Sequence, residues 1–259
     1  MKDLIGIFDS GLGGVSIWRE IVNILPLEST LYFADSANCP YGQKSQDEIV
    51  DLSERITRYL AGKGAKIVVV ACNTATTAAI GHLRSVFPFP IVGVEPAVKP
   101  AALSSRSGKI GLLATLGTIE SPFYNSTRAR YASDVEVIAR PGFGLVEAVE
   151  NNQIYSVETE ALLRRYIEPM IETGVDKLVL GCTHYPFLIP VIKKIVGDKI
   201  DILDPAPAVA RQCQHVLEET GLLSRGSNVR YEFLSSGDNE KLDIFLRNVT
   251  SLPFSIGEI

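Results

Sequence analysis

Short apolar runs alternate along the chain with longer segments in which apolar and polar positions recur at helical spacing. This alternation is typical of βα units arranged around a mostly parallel sheet. The apolar runs predict strands over residues 4–8, 30–35, 67–71, 90–94, 110–115 and 177–181. We also predict helices over 45–60 and 157–173, a strand near 229–234 and a last helix from about residue 239. The pattern therefore predicts an α/β fold.

A change in composition divides this pattern into two parts. The segment 95–109 begins with prolines and is expected to be a loose crossing, which places a domain boundary near residue 98. We predict a first α/β domain over 1–98 and a second over 99–207. Because the last fifty or so residues are few for a domain of their own, 208–259 are expected to complete the first domain.

Two cysteines each follow an apolar run at the same point of a repeated pattern. Gly64 lies eight residues before Cys72 (72 − 64), and Gly174 lies eight before Cys182 (182 − 174). Ligands of open α/β sheets bind at the carboxyl ends of the strands. The repetition therefore predicts two similar α/β domains with mostly parallel sheets, and an active site in the cleft between them.

Composition and charge exclude several other classes of protein. The formal net charge is −5 with an isoelectric point near 5.4, which argues against a nucleic-acid surface. The first residues have charges and only a very short apolar run, so no signal peptide is expected, and no stretch is long enough to span a membrane. The four cysteines form no CxxC pair, which favours a reducing cytoplasm over a disulfide framework or a zinc cluster.

The two repeated cysteines are the first candidates for chemistry. Cys72 and Cys182 each lie between a buried strand and a predicted helix N-terminus, where backbone N–H groups favour the thiolate. A single cysteine is more often a small buried apolar residue, yet the same placement twice favours a functional role. Cys213 is expected to pack in a core from a helix, and Cys39 has no general base of its own in view.

Three further features could take part in the same chemistry. The segment "FDSGLGG" (8–14) is neither a dinucleotide fingerprint nor a P-loop. Its N–H groups could hold a carboxylate, or it could be a tight turn with Asp9 in solvent, and the local pattern leaves both open. His184 follows Cys182 closely and is placed to exchange a proton, whereas His82 and His215 fall on helices. Glu147 is either a surface acid or a residue that orients His184.

Four motifs occur in a fixed order: "FDSGLGG" (8–14), "PYG" (40–42), "ACNTAT" (71–76) and "GCTHYP" (181–186). In them the chain resembles the aspartate/glutamate racemase family almost from end to end, and within it the glutamate racemases. The resemblance implies racemisation without a cofactor or a metal, by two bases. Cys72 would act on D-glutamate and Cys182 on L-glutamate.

The resemblance also implies roles for the neighbouring residues. Asp9 would assist on the Cys72 side, and His184, supported by Glu147, on the Cys182 side. Glu150 lies close to Glu147 in the sequence, so the choice between these two acids stays open. Substrate-binding positions implied by the family motifs are Asp9, Ser10, Tyr41, Gly42, Asn73, Thr74, Thr183 and His184, with Thr115 and Thr118 as weaker matches.

In the family this activity supplies D-glutamate for peptidoglycan synthesis in the cytoplasm. The implied partner is the small-molecule substrate, with no nucleic acid and no membrane; dimers are common in the family, but the chain itself does not decide this point. Two alternatives stay open. A sister racemase would act on aspartate or another amino acid, and a two-lobed ligand-binding protein would bind without exchanging the α-proton.

Overall fold

The computed structural model describes residues 3–224, 226 and 228–259. It contains two compact units, one formed by the residues up to Val94 together with Ala206–Ile259, and the other by Glu95–Pro205. These divisions fall slightly before the boundaries expected at residues 98 and 207. Among the described residues, no helix is both long and apolar enough to cross a membrane.

The first unit is a parallel sheet with helices packed against it. Its strands are β1 (Leu4–Asp9), β2 (Ser29–Ala34), β3 (Ala65–Val70), β4 (Ile91–Gly93), β9 (Tyr231–Ser235) and β10 (Ser255–Ile256), in the order β10–β9–β2–β1–β3–β4. Its helices are α1 (Val15–Ile24), α2 (Gln46–Gly62), α3 (Asn73–Val86), α10 (Ala206–Glu219) and α11 (Asn239–Val249). All residues of β3 are buried, as expected for an inner strand covered on both faces.

The second unit repeats this plan with a smaller parallel sheet. Its strands are β5 (Lys109–Ala114), β6 (Glu136–Pro141), β7 (Lys177–Gly181) and β8 (Asp201–Leu203), in the order β6–β5–β7–β8. Its helices are α4 (Val98–Ser104), α5 (Leu116–Glu120), α6 (Pro122–Tyr131), α7 (Leu145–Glu150), α8 (Val157–Glu172) and α9 (Ile189–Val196). The predicted α/β class with two parallel sheets is confirmed.

The two units have glycines at matching positions. Gly64 and Gly174 have φ angles of 97° and 84°, which allow the chain to leave α2 and α8 and enter β3 and β7. In the first strand of each unit a glycine makes room for the same helix, α2 in the first unit and α8 in the second. A Cβ on Gly6 would lie 3.2 Å from Leu60 Cβ, and one on Gly111 would lie 2.8 Å from Met170 Sδ.

Local signals predicted some element ends well and missed others. Ser45 caps α2 by accepting a hydrogen bond from the Glu48 N–H at 3.3 Å, as the capping-box pattern predicts. The loose crossing expected over 95–109 is wrong in part, because α4 occupies Val98–Ser104. Val98 and Ala101 of α4 are fully buried in the core of the second unit, so tertiary packing supplies what local periodicity lacks.

Candidate active-site residues in the two units

The carboxyl edge of the first sheet gathers residues from three neighbouring strands. In the parallel register Asp9 pairs with Ala34 and Phe8 pairs with Val70. The residues that follow these strands, among them Ser10, Asp35 and Cys72, therefore lie along one edge. This is the edge at which open α/β sheets bind their ligands.

Cys72 is the N-cap residue of α3 and is only 5% exposed. Its Sγ accepts a hydrogen bond from the Ala75 N–H at 3.4 Å, and its thiol donates to Ser10 Oγ at 3.6 Å. A helix N-terminus stabilises negative charge through its free N–H groups and the helix dipole. The position therefore favours the thiolate while leaving a hydroxyl beside the sulfur.

The turn after β1 buries Asp9 completely, which rules out the reading of Asp9 as a solvated cap. The Gly11 N–H donates to Asp9 Oδ1 at 2.8 Å, so this N–H of the glycine-rich turn binds a side chain of the turn itself. The backbone packs closely here. A Cβ on Gly14 would lie 2.7 Å from Asp9 Cβ and 2.8 Å from the Tyr32 hydroxyl.

Tyr41 and Gly42 lie in the short 3-10 turn Tyr41–Gln43, and Tyr41 is 1% exposed. The Tyr41 hydroxyl donates to Asp35 Oδ2 at 2.6 Å. Burial, and then the Asp35 carboxylate, raise the pKa of Tyr41 well above its usual range. Negative charge on Cys72 and on Asp9 raises this pKa further, so Tyr41 lies in the field of both groups.

The first turn of α3 contributes two buried polar residues, Asn73 and Thr74. Neither Nδ2 nor Oδ1 of Asn73 has a hydrogen-bond partner in the part of the chain that the structure describes. A buried amide without partners is costly, so such a group in a native protein calls for a ligand or a bound water. Asn73 follows Cys72 directly, which makes a ligand beside the thiol the simplest explanation.

In the second unit, the edge of the sheet brings a threonine pair close to a cysteine. Ala114 at the end of β5 pairs with Gly181 at the end of β7, so Thr115 and Cys182 follow adjacent strands. Thr115 caps α5, and its hydroxyl donates to Thr118 Oγ1 at 2.9 Å. Thr118 is fully buried.

Cys182 lies beside an imidazole, and that imidazole in turn contacts a carboxylate. Its Sγ lies 3.7 Å from His184 Nδ1, and His184 Nε2 lies 2.6 Å from Glu150 Oε1. Cys182 and His184 are 5% and 1% exposed. The chain turns after β7 into a 3-10 segment, Tyr185–Leu188, so Cys182 does not begin an α-helix as expected. The sulfur of Cys182 therefore lies beside the His184 imidazole and not at the predicted helix N-terminus.

Of the two acids left open in the sequence, Glu150 contacts His184 and Glu147 does not have this contact. Both acids lie on α7, and Glu150 is one helical turn nearer to its carboxyl end. Glu147 is exposed. Its charge acts on Tyr185 instead: burial, then Cys182 and then Glu147 raise the pKa of Tyr185 well above its usual range.

Two residues near the cysteines were missed in the sequence. Asp35 follows "YFA" as Asp9 follows "GIF", so an acid after an apolar strand could have indicated it. Tyr185 follows His184 directly; it is fully buried and its hydroxyl donates to the Gly142 carbonyl at 3.1 Å. Thr183, which lies between Cys182 and His184 in the sequence, is also buried.

Cys213 and the two other histidines behave as expected from the sequence. Cys213 is fully buried on α10, where burial raises its pKa to about 12 and keeps it a thiol. Cys39 is partly exposed. His82 and His215 pair with Glu54 and Glu219 at the surface, at 2.6 and 3.3 Å.

Each unit thus presents a buried thiol at the carboxyl edge of a parallel sheet, next to groups that can hold or exchange a proton. Fold and site together define an α/β protein of two similar units, each with a buried cysteine among polar side chains. The family model "Asp/Glu/Hydantoin racemase" matches residues 5–213, and the chain belongs to this family.

Individual relatives match over almost the whole chain. A glutamate racemase of Ectopseudomonas mendocina (strain ymp) is 46% identical over 255 residues, 98% of this chain and 95% of the relative. The crystal structure of Escherichia coli glutamate racemase, in complex with L-glutamate and the activator UDP-MurNAc-ala, matches with a TM-score of 0.89 and 30% identity. That match covers 100% of this chain and 98% of the other. The Francisella tularensis enzyme in complex with D-glutamate matches with a TM-score of 0.86 and 27% identity, covering 100% and 97%.

Proposed function

We propose that the protein interconverts L- and D-glutamate without a cofactor, using Cys72 and Cys182 as the two bases. Family membership and the 46% identity to a glutamate racemase support the reaction. Two structural relatives bind L-glutamate and D-glutamate, the two sides of the proposed equilibrium. The single observation that supports the mechanism is the recurrence, in both units, of a buried thiol at the carboxyl edge of a parallel sheet with a polar side chain beside its sulfur.

The two-base mechanism removes one proton from the α-carbon and delivers a different proton to its opposite face. In the D-to-L direction the Cys72 thiolate removes the α-proton, and the electron pair is left on the α-carbon and its carboxylate. The Cys182 thiol then delivers a proton to the opposite face, which inverts the configuration. Afterwards Cys72 is a thiol and Cys182 a thiolate, the state required for the reverse reaction. Both thiols must reach the same α-carbon, which is the strictest requirement of the proposal.

Each thiol has a group to adjust its protonation between turnovers. On the Cys182 side, His184 lies 3.7 Å from the sulfur and is held by Glu150. An imidazole can take up or return a proton near neutral pH. On the Cys72 side we assign the assisting role to Asp9, which is buried in the same sheet edge.

Substrate binding is assigned to the polar residues around the thiols. Asn73 carries the strongest support, since its buried amide has no hydrogen-bond partner among the described residues. Ser10, Tyr41, Gly42 and Thr74 would bind beside it. In the second unit the corresponding group is Thr183 and His184 with the hydroxyls of Thr115 and Thr118.

Isotope exchange in deuterated water tests the mechanism most directly. Wild-type protein and L-glutamate, without added cofactor, should give D-glutamate that carries deuterium at the α-carbon. Cys72→Ser and Cys182→Ser should each lower racemisation by at least about 100-fold, as expected for loss of a general base. Cys182→Ser should still exchange the α-proton of D-glutamate, and Cys72→Ser that of L-glutamate.

Cys213→Ala is the matched control, since that thiol is buried in the helical core of the first unit. It should racemise glutamate at the wild-type rate. Wild-type protein that binds glutamate but exchanges no α-proton under reducing conditions would contradict the enzymatic function. Racemisation that survives either serine substitution would contradict the two-base mechanism alone.

Aspartate is the second candidate substrate, because the matching family model covers aspartate racemases as well. The two substrates differ by one methylene group, a difference that a pocket can discriminate only modestly without specific polar contacts. Comparing kcat/KM for glutamate and aspartate decides between them. We expect glutamate to be preferred, in line with the glutamate racemases that match over nearly the whole chain.

The cellular role follows from the proposed reaction and the family resemblance. We assign the protein to the supply of D-glutamate for peptidoglycan in the cytoplasm. Depleting the protein in its host should cause lysis that added D-glutamate prevents and added L-glutamate does not. A homodimer stays a prediction.

A further inference from the structure

We propose that Asp35 is a positioning residue of the reaction, which fixes the Tyr41 hydroxyl so that it faces the Cys72 side as a hydrogen-bond acceptor. The inference rests on the proposed function. It concerns a residue at the end of β2 that does not occur in the motifs from which the active-site assignments were made.

Asp35 is a buried carboxylate with an unusually complete set of donors. It is 3% exposed and accepts four hydrogen bonds from three side chains. Tyr41 donates to Oδ2 at 2.6 Å and Ser236 to Oδ1 at 2.7 Å, while Asn38 Nδ2 contacts the two oxygens at 3.0 and 3.1 Å. A carboxylate can be buried in this way only if hydrogen bonds replace its hydration.

Three neighbouring strands build this arrangement. The Asp35 N–H donates to the Asp9 carbonyl at 3.0 Å, and the Ser236 N–H donates to the Ala34 carbonyl at 2.9 Å. Asp35 therefore lies between the turn that carries Asp9 and the end of β9. This gives the carboxyl-terminal segment of the first unit a function, because Ser236 helps to fix the carboxylate that holds Tyr41.

The hydrogen bond to Asp35 determines what Tyr41 can offer to other groups. A phenol has one proton, and here that proton is donated to Asp35. The oxygen then has only lone pairs for its remaining contacts. Negative charge on Cys72 and Asp9 reaches the same phenol and acts with burial to keep it protonated. Any group that bonds to Tyr41 from that side must therefore be a donor.

A merely structural tie between strands would produce the same contacts, so the test must separate the two roles. Asp35→Asn removes the negative charge and one of the two acceptor oxygens, so the hydrogen bond that fixes the Tyr41 proton is weakened or lost. We expect kcat/KM for D-glutamate to fall by about 10- to 100-fold, the effect of one hydrogen bond to a charged group. Tyr41→Phe should have an effect of similar size.

The double variant Asp35→Asn/Tyr41→Phe decides the question. If Asp35 acts through Tyr41, kcat/KM of the double variant should be within about threefold of that of the less active single variant, because the second change removes nothing further. If the two losses multiply, Asp35 does not act through Tyr41 and the inference is overturned. Asp51→Asn, on the exposed face of α2, is the matched control and should keep wild-type kinetics.

A spectroscopic measurement tests the contact without using activity. With tyrosine labelled at the 13Cζ position, the resonance that disappears in Tyr41→Phe should shift in Asp35→Asn and stay unchanged in Asp51→Asn. An unshifted resonance would overturn the inference even if activity fell. Absence of racemisation by the wild-type protein would instead contradict the proposed function, and the shift would still decide the role of Asp35 in holding Tyr41.

Discussion

Cys72 and Cys182 follow the same strand of the repeated plan, yet their surroundings differ in kind. Cys72 caps a long helix, and a backbone N–H and the Ser10 hydroxyl contact its sulfur. Cys182 precedes a 3-10 turn, and its sulfur lies beside the imidazole of His184, which Glu150 holds from the other side. One thiol is thus supported by fixed dipoles and the other by a group that can change its charge.

In the proposed reaction, one position in the fold would support the same chemistry by two physical routes. A helix N-terminus stabilises a thiolate at every pH at which the helix exists. An imidazole stabilises it only when protonated, but it can also accept the proton that the thiol releases. If both thiols act in one reaction, variants on the Cys182 side should change its pH dependence more than variants around the Cys72 sulfur.

The largest effect is expected from replacing the imidazole. His184→Asn should lower kcat/KM in both directions by about 100- to 10,000-fold, the usual contribution of a general acid–base group. The measurement is the initial racemisation rate from L- and from D-glutamate across pH 6–9. His215→Asn, at an exposed site on α10, should leave the rates unchanged. A loss below about threefold would mean that the Cys182 side does not depend on its imidazole.

A smaller effect is expected from the carboxylate behind the imidazole, and it separates the two acids of α7. Glu150→Gln should lower kcat/KM by about 10- to 100-fold, because His184 loses the charged partner that orients it. Glu147→Gln, three residues earlier on the same helix, should stay within about twofold of wild type. Equal losses in both variants would show that the general charge of α7 matters, and not the contact.

The sequence predicts the repeated features of the molecule because they depend on local chemistry. A glycine with positive φ, a buried strand and a cysteine at its end recur at fixed spacing, and the structure has them at Gly64 and Gly174, β3 and β7. Those residues act within a few positions of one another. A reader of the sequence can therefore place the strand ends without knowing the tertiary structure.

The features that the sequence does not predict depend on distant contacts. Choosing between Glu147 and Glu150 requires the position of a short helix relative to a turn more than thirty residues away. The hydrogen bonds of Asp35 include one from Ser236, which is 201 residues distant in the chain. The surroundings of Cys182 differ from those of Cys72 because a 3-10 turn replaces a helix, and the small residues after both strands do not reveal this.

Close packing around the Cys72 side can be tested through Gly14. Gly14→Ala would place a Cβ 2.7 Å from Asp9 Cβ, 2.8 Å from the Tyr32 hydroxyl and 2.9 Å from Ala71 Cβ. We expect unfolding to become easier by about 1–3 kcal/mol, as for an overpacked core, and racemisation to fall as Asp9 is displaced. Gly62→Ala, which has open space, is the control and should not destabilise. If Gly14→Ala unfolds at the same denaturant concentration as wild type and keeps its activity, the turn can adjust to the added methyl group.

The smallest effect is expected at the opposite edges of the sheets, where paired or hydrogen-bonded acids contribute to stability. In the first unit Glu28 pairs with Lys66 at 2.6 Å, with both side chains almost fully buried. In the second unit Asp176 accepts hydrogen bonds from the Ser105 hydroxyl at 2.7 Å and from the N–H groups of Arg106 and Ser107 at 2.5 and 3.2 Å. Burial opposes ionisation of Asp176, but these donors outweigh it and lower its pKa to about 2.

The pKa of Asp176 is lower in the folded state than its usual value near 4. Its contribution to the free energy of unfolding is therefore complete above pH 4 and is lost as pH falls toward 2. Asp176 is only partly buried, so solvent screening reduces the contribution, and we expect about 1 kcal/mol. Asp176→Asn should lose that amount at pH 7, and its difference from wild type in urea unfolding should shrink between pH 4 and pH 2.5. Asp51→Asn should show no difference at either pH. A gap for Asp176→Asn that persists at the lower pH would mean that the amide disturbs packing, and that the charge of the carboxylate contributes little.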